Sequence, residues 1–130
     1  MKITLGHFKR FEKQIILKKI GISGQKKILL SSVLVVGVGG LGCPLITYLA
    51  ASGVGKIGIV DFDKIEISNL NRQTLFGAND LGKLKVMQAK KNINRLNKKV
   101  EIITYKKKLS SKNVKNIFKK FDIICDGTDN

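Results

Sequence analysis

Three glycines, Gly37, Gly39 and Gly42, stand in the spacing G-x-G-x-x-G within SSVLVVGVGGLGCP, residues 31–44. Behind a β-branched run, that spacing suits the cradling of phosphate. Gly37 permits a tight turn, Gly39 lets backbone approach a ligand, and Gly42 lets helix and strand pack closely. A helix starting there turns free N–H groups and the positive end of its dipole towards an anion. Asp61 follows 19 residues after Gly42, where a carboxylate can accept a hydrogen bond from a ribose hydroxyl. The loop reads as a nucleotide site. It is compatible with NAD, but it specifies an adenine nucleotide more firmly than it specifies NAD.

These residues need elements to hold them. Residues 32–37 form a continuous apolar run, as in a central parallel strand buried on both faces. Residues 41–52 read as a helix, with Pro44 in its first turn and Gly53 just past its end. KIGIVD, residues 56–61, is a second strand, and 62–78 a long polar connection. Asp80 is placed to cap a helix running to about Asn97. Its apolar stripe is Val86, Ala89, Ile93 and Leu96, with Lys85 on the stripe's border. Residues 100–105 form a third strand, Ser110 or Ser111 caps a helix over 112–120, and 121–126 form a fourth strand. Upstream, residues 8–20 read as a basic amphipathic helix with Phe8, Phe11 and Ile15 on one side. Gly21 and Gly24 are expected to break it before a short helical turn at 25–30. Strands alternating with helices predict the α/β class: a Rossmann-like, doubly wound sheet of mainly parallel strands with right-handed crossovers, preceded by an N-terminal helix.

The chain of 130 residues is 43% hydrophobic, enough for one compact domain with a core. No apolar run reaches the length of a membrane span, so no membrane partner is expected. The first residues, MKITLGHFKRFEKQ, lack the apolar stretch of a secretory signal and read as a surface helix. Net charge is +16, yet 22 of the 25 basic residues are lysine; the arginines are Arg10, Arg72 and Arg95. The lysines are scattered and no base-stacking aromatics accompany them, so no nucleic-acid partner is expected. An acidic protein or a polyphosphate fits this charge better. Cys43 and Cys125 have no metal spacing and read as reduced core thiols. The expected location is the cytoplasm or an equivalent soluble compartment of an organelle, such as a plastid stroma.

The segment DFDKIEISNLNRQTLFGANDLGKLK, residues 61–85, has no standard place in a redox Rossmann protein. Its DFD, SNLNRQTLF and GKLKV, with DGTDN at 126–130, closely resemble the ThiF/MoeB-type adenylyltransferases. So do RFEKQIILKKIG and GQKKILLSSVLVVGVGGLG nearer the N-terminus. That family includes ubiquitin-activating enzymes and activators of sulfur-carrier proteins. The resemblance covers nearly all 130 residues. It implies one nucleotide-binding domain, partial relative to the family, with residues 1–30 as an N-terminal helical arm. It also implies a reaction in which the C-terminal glycine carboxylate of a small ubiquitin-like protein attacks the α-phosphate of ATP, giving an acyl-adenylate and pyrophosphate. Molybdopterin-synthase activation is the nearer pathway and thiazole (thiamine) synthesis the next.

Two anions meet in that step, so cations must offset their repulsion. Arg72 resembles the family's phosphate-contacting arginine, and its planar fork suits phosphate. Lys85 resembles the lysine that neutralises phosphate charge. Asp129 resembles the aspartate that binds Mg²⁺, a hard cation needing a hard oxygen. Asp61 and Asp63 resemble ribose contacts. Gly37, Gly39, Gly40 and Gly42, with Ser68, Asn69, Leu70, Asn71 and Gln73, resemble loop contacts to ATP. Asn130 would be the last contact.

Two departures stand out. The family's RxxR element reads Arg10-Phe11-Glu12-Lys13 here, so Lys13 takes the place of an arginine that reaches into a partner subunit's site. Lysine brings a point charge without the fork. Family members also continue well beyond residue 130, with further strands, a carrier groove and often a CxxC…CxxC zinc site, which this chain lacks. The apolar FDIIC strand is then expected to be an unpaired edge, and the chain to dimerise, aggregate or associate with a separate C-terminal part. Neither Cys43, opening a buried helix, nor Cys125, within a strand, fits a thioester nucleophile. The readings to separate are an adenylating enzyme, a truncated remnant that keeps the fold and nucleotide binding, and an NAD-dependent oxidoreductase.

Overall fold

Ser32–Val36 forms β1, and every residue from Val33 to Val36 is buried. Neighbouring side chains on a strand point to opposite faces. Val33 and Val35 therefore join one apolar cluster while Leu34 and Val36 join another. The structure, a computed structural model, describes residues 1–129. Around β1 lie α1 (Leu5–Ile15), α2 (Gly21–Leu30), α3 (Gly42–Ser52), β2 (Lys56–Val60), α4 (Lys85–Leu96), β3 (Glu101–Tyr105), α5 (Val114–Phe118) and β4 (Ile123–Asp126).

The strands run parallel in the order β3-β2-β1-β4, with Val36 in register with Val60 on one side and Asp126 on the other. Ile46 and Ala50 of α3 and Val86, Ala89 and Ile93 of α4 pack on Val33, Val35, Ile57 and Ile59. Ile117 of α5, with Phe121, packs on Leu34, Val36 and Val60 across the sheet. Helices thus cover both faces, as the expected doubly wound class requires. The chain leaves β1 towards β2 on one face and reaches β4 across the other. The switch point falls between the carboxyl ends of β1 and β4, where such sheets bind ligands. β4 has no strand on its outer side among the described residues, and Ile123 there is 53% exposed. Among these residues no helix is long and apolar enough to cross a membrane.

Several expected elements shift. The first helix begins at Leu5 because Thr4 and His7 form a capping box, and it ends at Ile15 rather than 20. Phe11 departs from helical geometry (φ −111°, ψ 16°), so the helical register breaks: Phe11 and Ile15 are buried, while Phe8 is 40% exposed. The glycines do not end a helix before a mere turn at 25–30. Gly21, at φ +59°, opens α2, and Gly24 lies within it.

Asp80 does not cap the fourth helix. Its carboxylate accepts from the Gly77 N–H (2.9 Å), from Gln88 Nε2 (2.6 Å) and, at 3.4 Å, from Asn92 Nδ2, tying the connection to the flank of α4. A turn at Gly82 intervenes (φ +79°), and the helix starts only at Lys85. Lys85 and Gln88 join the buried side, whereas Leu96 ends the helix 41% exposed. Neither Ser110 nor Ser111 caps α5; Asn113 precedes the helix, but its side chain accepts from the Ser110 N–H and donates to the Lys108 carbonyl instead of capping it, and the helix is confined to Val114–Phe118.

The arm is fastened by amides. Gln14 Nε2 donates to Gln25 Oε1 (2.8 Å) and to the Ser52 carbonyl (3.0 Å), and Gln25 Nε2 donates to the same carbonyl (3.1 Å). The donors satisfy a carbonyl at the C-terminus of α3, where such groups lack helical partners. The helix whose first turn follows the glycine loop is therefore held at its far end by α1 and α2.

Candidate nucleotide-binding site

A cleft of about 980 Å³ opens over the carboxyl ends of β1, β2 and β4. Gly37, at φ +91°, turns the chain out of β1 so closely against the last loop that a Cβ there would lie 3.1 Å from Thr128 and 3.3 Å from the Gly127 backbone. Gly42 starts α3 beneath that turn. A Cβ on Gly42 would overlap the Gly37 carbonyl oxygen at 1.9 Å, so the loop cannot close with any other residue. Gly42 thus shapes the cleft without lining it, whereas Gly37, Gly39 and Gly40 line it.

Asp61 links this loop to the next. One carboxylate oxygen accepts from the Val38 N–H and the other from the Asp63 N–H, both at 2.8 Å. Sequence reading assigned Asp61 to a ribose alone; its carboxylate also braces the glycine turn. Asp63 lines the cleft with its side chain exposed, and its carbonyl accepts from the Lys85 N–H at the start of α4.

Arg72 lies across Gly40. Its Cγ and Cδ are 3.4 Å from the place a Gly40 Cβ would take, and its Nη1 donates to the Ser68 carbonyl and to Asn71 Oδ1, both at 3.0 Å. Ser68 and Asn71 therefore aim the guanidinium and do not line the cleft themselves. Leu70, also expected at the ligand, packs against the core instead. Asn69 lines the cleft, and its Oδ1 accepts from the Glu66 N–H at 2.9 Å. Gln73 lines the cleft 3% exposed, with its side-chain Oε1 buried and unpartnered among the described residues.

Lys85 lines the same cleft and is only 6% exposed, and no described residue takes a hydrogen bond from its ammonium. Its charge works against the burial that pushes the Cys43 thiol up to about 11. Asp129 is exposed at the cleft. Asp126, the last residue of β4, holds its carboxyl below the usual range by accepting from the Thr128 hydroxyl (2.6 Å) and N–H (2.9 Å). Arg72, Lys85 and Asp129 thus share one cleft. Lys13 is exposed on α1 and is not among the residues lining it. Asn130 lies outside the described residues.

Other cleft residues escaped the sequence. Lys107, Lys108 and Leu109 enter from the loop after β3, Phe118 from α5 and Ile124 from β4. The rule that ligands sit beyond strand carboxyl ends points to the residues after Tyr105. Phe118 and Ile124 carry no such signal. A second hollow, about 410 Å³ on the outside of α4, is lined by Lys91, Asn94, Arg95 and Lys98 and has no acid or nucleophile. Both cysteines are free thiols. Among the described residues no three His, Cys, Asp or Glu side chains converge to hold a metal.

The family model described as ThiF family matches residues 11–130. The chain belongs to the ThiF family. It is 48% identical over 127 residues to the probable molybdopterin-synthase adenylyltransferase of Porphyra purpurea, covering 98% of this chain and 33% of that protein. It is 45% identical over 129 residues to the adenylyltransferase and sulfurtransferase MOCS3 of Culex quinquefasciatus, covering 99% and 30%. The sulfur carrier protein adenylyltransferase of Thermus thermophilus is 40% identical over 130 residues, covering 100% and 48%. The chain thus spans about a third to a half of these relatives. Among solved structures, E. coli TcdA in complex with ATP superposes over 100% of this chain and 53% of its own, with TM-score 0.89 and 22% identity. That similarity speaks for the ThiF-type fold. E. coli MccB with ATP covers 77% of this chain and 30% of its own at TM-score 0.68 and 32% identity.

Proposed function

We propose that this chain is the ATP-holding part of an enzyme that adenylates the C-terminal glycine of a small ubiquitin-like sulfur carrier. The carrying observation is one cleft that gathers a glycine turn, a guanidinium (Arg72), the ammonium of a largely buried lysine (Lys85) and an exposed carboxylate (Asp129). Relatives at 40–48% identity named as molybdopterin-synthase or sulfur-carrier adenylyltransferases support the reading.

ATP fits the donors present. Lys85 is a mostly buried lysine whose ammonium opens to the cleft without a protein partner, which suits an anion, and the glycine loop leaves room for phosphate against backbone. In this reading the carrier's carboxylate oxygen bonds to the α-phosphorus and the bond to the bridging oxygen breaks, releasing pyrophosphate. Arg72 and Lys85 draw charge away from the phosphate oxygens as it builds, and Asp61 holds the ribose end. Asp63, Asn69 and Gln73 complete the wall, and Ser68 and Asn71 aim Arg72. Mg²⁺ would be held by Asp129 and would supply further positive charge to the phosphates. Lys13 would act at the site of a second copy of the chain, as the family's RxxR element implies; it is exposed and does not line its own cleft. Two free thiols fit a reducing compartment such as the cytoplasm.

ATP–pyrophosphate exchange with a sulfur carrier tests this reading. Carrier-dependent exchange, lost in Arg72→Ala, supports it. ATP binding without exchange identifies a remnant that keeps the fold, and selective NAD binding identifies an oxidoreductase.

A further inference from the structure

Two cations that line the cleft, Lys107 and Lys108, have no role in the chemistry above. The cleft carries four carboxylates, from Asp61, Asp63, Asp126 and Asp129. Arg72 and Lys85 offset only two of them, which would leave an excess of negative charge facing any polyphosphate. Lys107 and Lys108 bring the cleft to balance. Both are exposed, and no described residue pairs with either ammonium.

Backbone contacts hold this pair at the rim. The Lys107 N–H donates to the Tyr105 carbonyl (2.9 Å), and the same carbonyl accepts from the Asp61 N–H just past β2 (3.2 Å). The Lys108 carbonyl accepts from Asn113 Nδ2 (3.1 Å), and Asn113 Oδ1 accepts from the Ser110 N–H (2.9 Å). Leu109, next along, packs on the cluster around Leu34, Val36 and Val60. The loop is thus pinned to the end of β2 on one side and to the start of α5 on the other. The two stems leave from a fixed backbone, and their tips stand in water.

That placement separates them from the other cations. Arg72 is braced on Ser68 and Asn71, and Lys85 is largely buried, so both suit a phosphate already in place. An exposed, mobile lysine adds little to holding a bound ion. Its charge acts before contact, because a cleft focuses the field and raises the encounter rate of an opposite charge. Rim charges accordingly govern association and its salt dependence more than dissociation. We propose that Lys107 and Lys108 are capture residues that draw the polyphosphate of the nucleotide into the cleft and set how fast it enters. The proposal rests on the nucleotide reading above and adds a direction of entry, across the loop between β3 and α5.

Stopped-flow binding of N-methylanthraniloyl-labelled ATP, ADP and AMP to the full chain, over a range of NaCl concentrations, tests it. Calorimetry with unlabelled ATP gives the matching equilibrium constant. The rim variant is Lys107→Gln with Lys108→Gln. The control is Lys18→Gln with Lys19→Gln, which removes the same charge from exposed positions between α1 and α2 that do not line the cleft. At low salt the rim variant should take up ATP about fivefold more slowly, with dissociation changed less than about twofold. The deficit should shrink towards one at high salt, where exposed charges are screened within a few ångströms. It should also shrink from ATP to ADP to AMP, because the field acts on ligand charge. Lys107→Glu with Lys108→Glu should be slower still, and the control should stay within about twofold of wild type. Equal slowing in the control overturns the proposal, because the net charge of the whole chain would then be responsible. Faster dissociation with unchanged association overturns it too, since the lysines would then be ordinary contacts to bound nucleotide. So does an equal effect on ATP and AMP, which would point to loop shape. Each variant is first checked for cooperative thermal unfolding; if the double variant fails, Lys107→Gln and Lys108→Gln are measured singly, and unchanged association in both overturns the proposal. A chain that binds none of the three nucleotides defeats the nucleotide reading itself, a result distinct from binding at a rate indifferent to Lys107 and Lys108.

Discussion

Replacing Lys85 with methionine should make this protein more stable and less able to hold ATP. Lys85 is 6% exposed, at the start of α4, and no described residue takes a hydrogen bond from its ammonium. The ammonium tip opens to the cleft, so it bears only part of the roughly 1–3 kcal/mol that burying an unpartnered polar group costs. Methionine has similar length and no charge, and it adapts to irregular space. We expect Lys85→Met to gain about 0.5–1 kcal/mol, which for a chain of this size raises Tm by about 2–4 °C. The same change removes a charge-assisted contact to phosphate, worth about 3 kcal/mol, so ATP affinity should fall roughly 100-fold. Thermal unfolding by circular dichroism and calorimetric ATP titration measure both on one preparation. The opposed signs are the signature of a residue kept for its ligand at the expense of the fold. A lower Tm for Lys85→Met would refute the reasoning, because it would show that the fold itself satisfies the ammonium.

Three further outcomes follow from the geometry. Asp61→Asn sets an NH₂ against one of the two backbone N–H groups that Asp61 now accepts from; urea denaturation should show a loss of about 1.5–3 kcal/mol even without nucleotide, and unchanged stability would leave the carboxylate with a ligand role only. Gly53→Ala places a methyl 2.7 Å from Phe11 Cζ at φ +97°; left-handed strain and overpacking together should cost about 2–4 kcal/mol and expose α1 to limited proteolysis before the sheet. Burial pushes the Cys43 thiol from about 9 up to about 11, so the folded state favours the protonated form; stability should be fully present below about pH 9 and decline as pH rises towards 11. The urea midpoint of Cys43→Ala should lose that slope.

The sequence by itself determined the layout of strands and the family. The β-branched run at β1 suited a parallel strand buried on both faces, and the glycine spacing after it suited the N-terminus of a helix. The motifs SNLNRQ, GKLK and DGTDN each occupy an ordered place along the chain, so the family was legible before any coordinate. Local capping was less legible. Asp80 has the chemistry of a helix cap, but Gly82 turns the chain before α4, and the carboxylate is taken by Gly77, Gln88 and Asn92 instead. Phe8 lost its place on the buried face because Phe11 breaks the helical register. Roles within the 61–85 connection were decided by tertiary structure alone. Ser68 and Asn71 read as loop contacts to ATP beside the phosphate-contacting Arg72, yet both hold that arginine. Gln73 reads like its neighbours in sequence and emerges as a buried acceptor. Periodicity reports which face of a regular element meets the core. In an irregular connection there is no period, so which atoms face the ligand depends on contacts between residues such as Gly40 and Arg72, far apart in the chain and joined only when the sheet has closed.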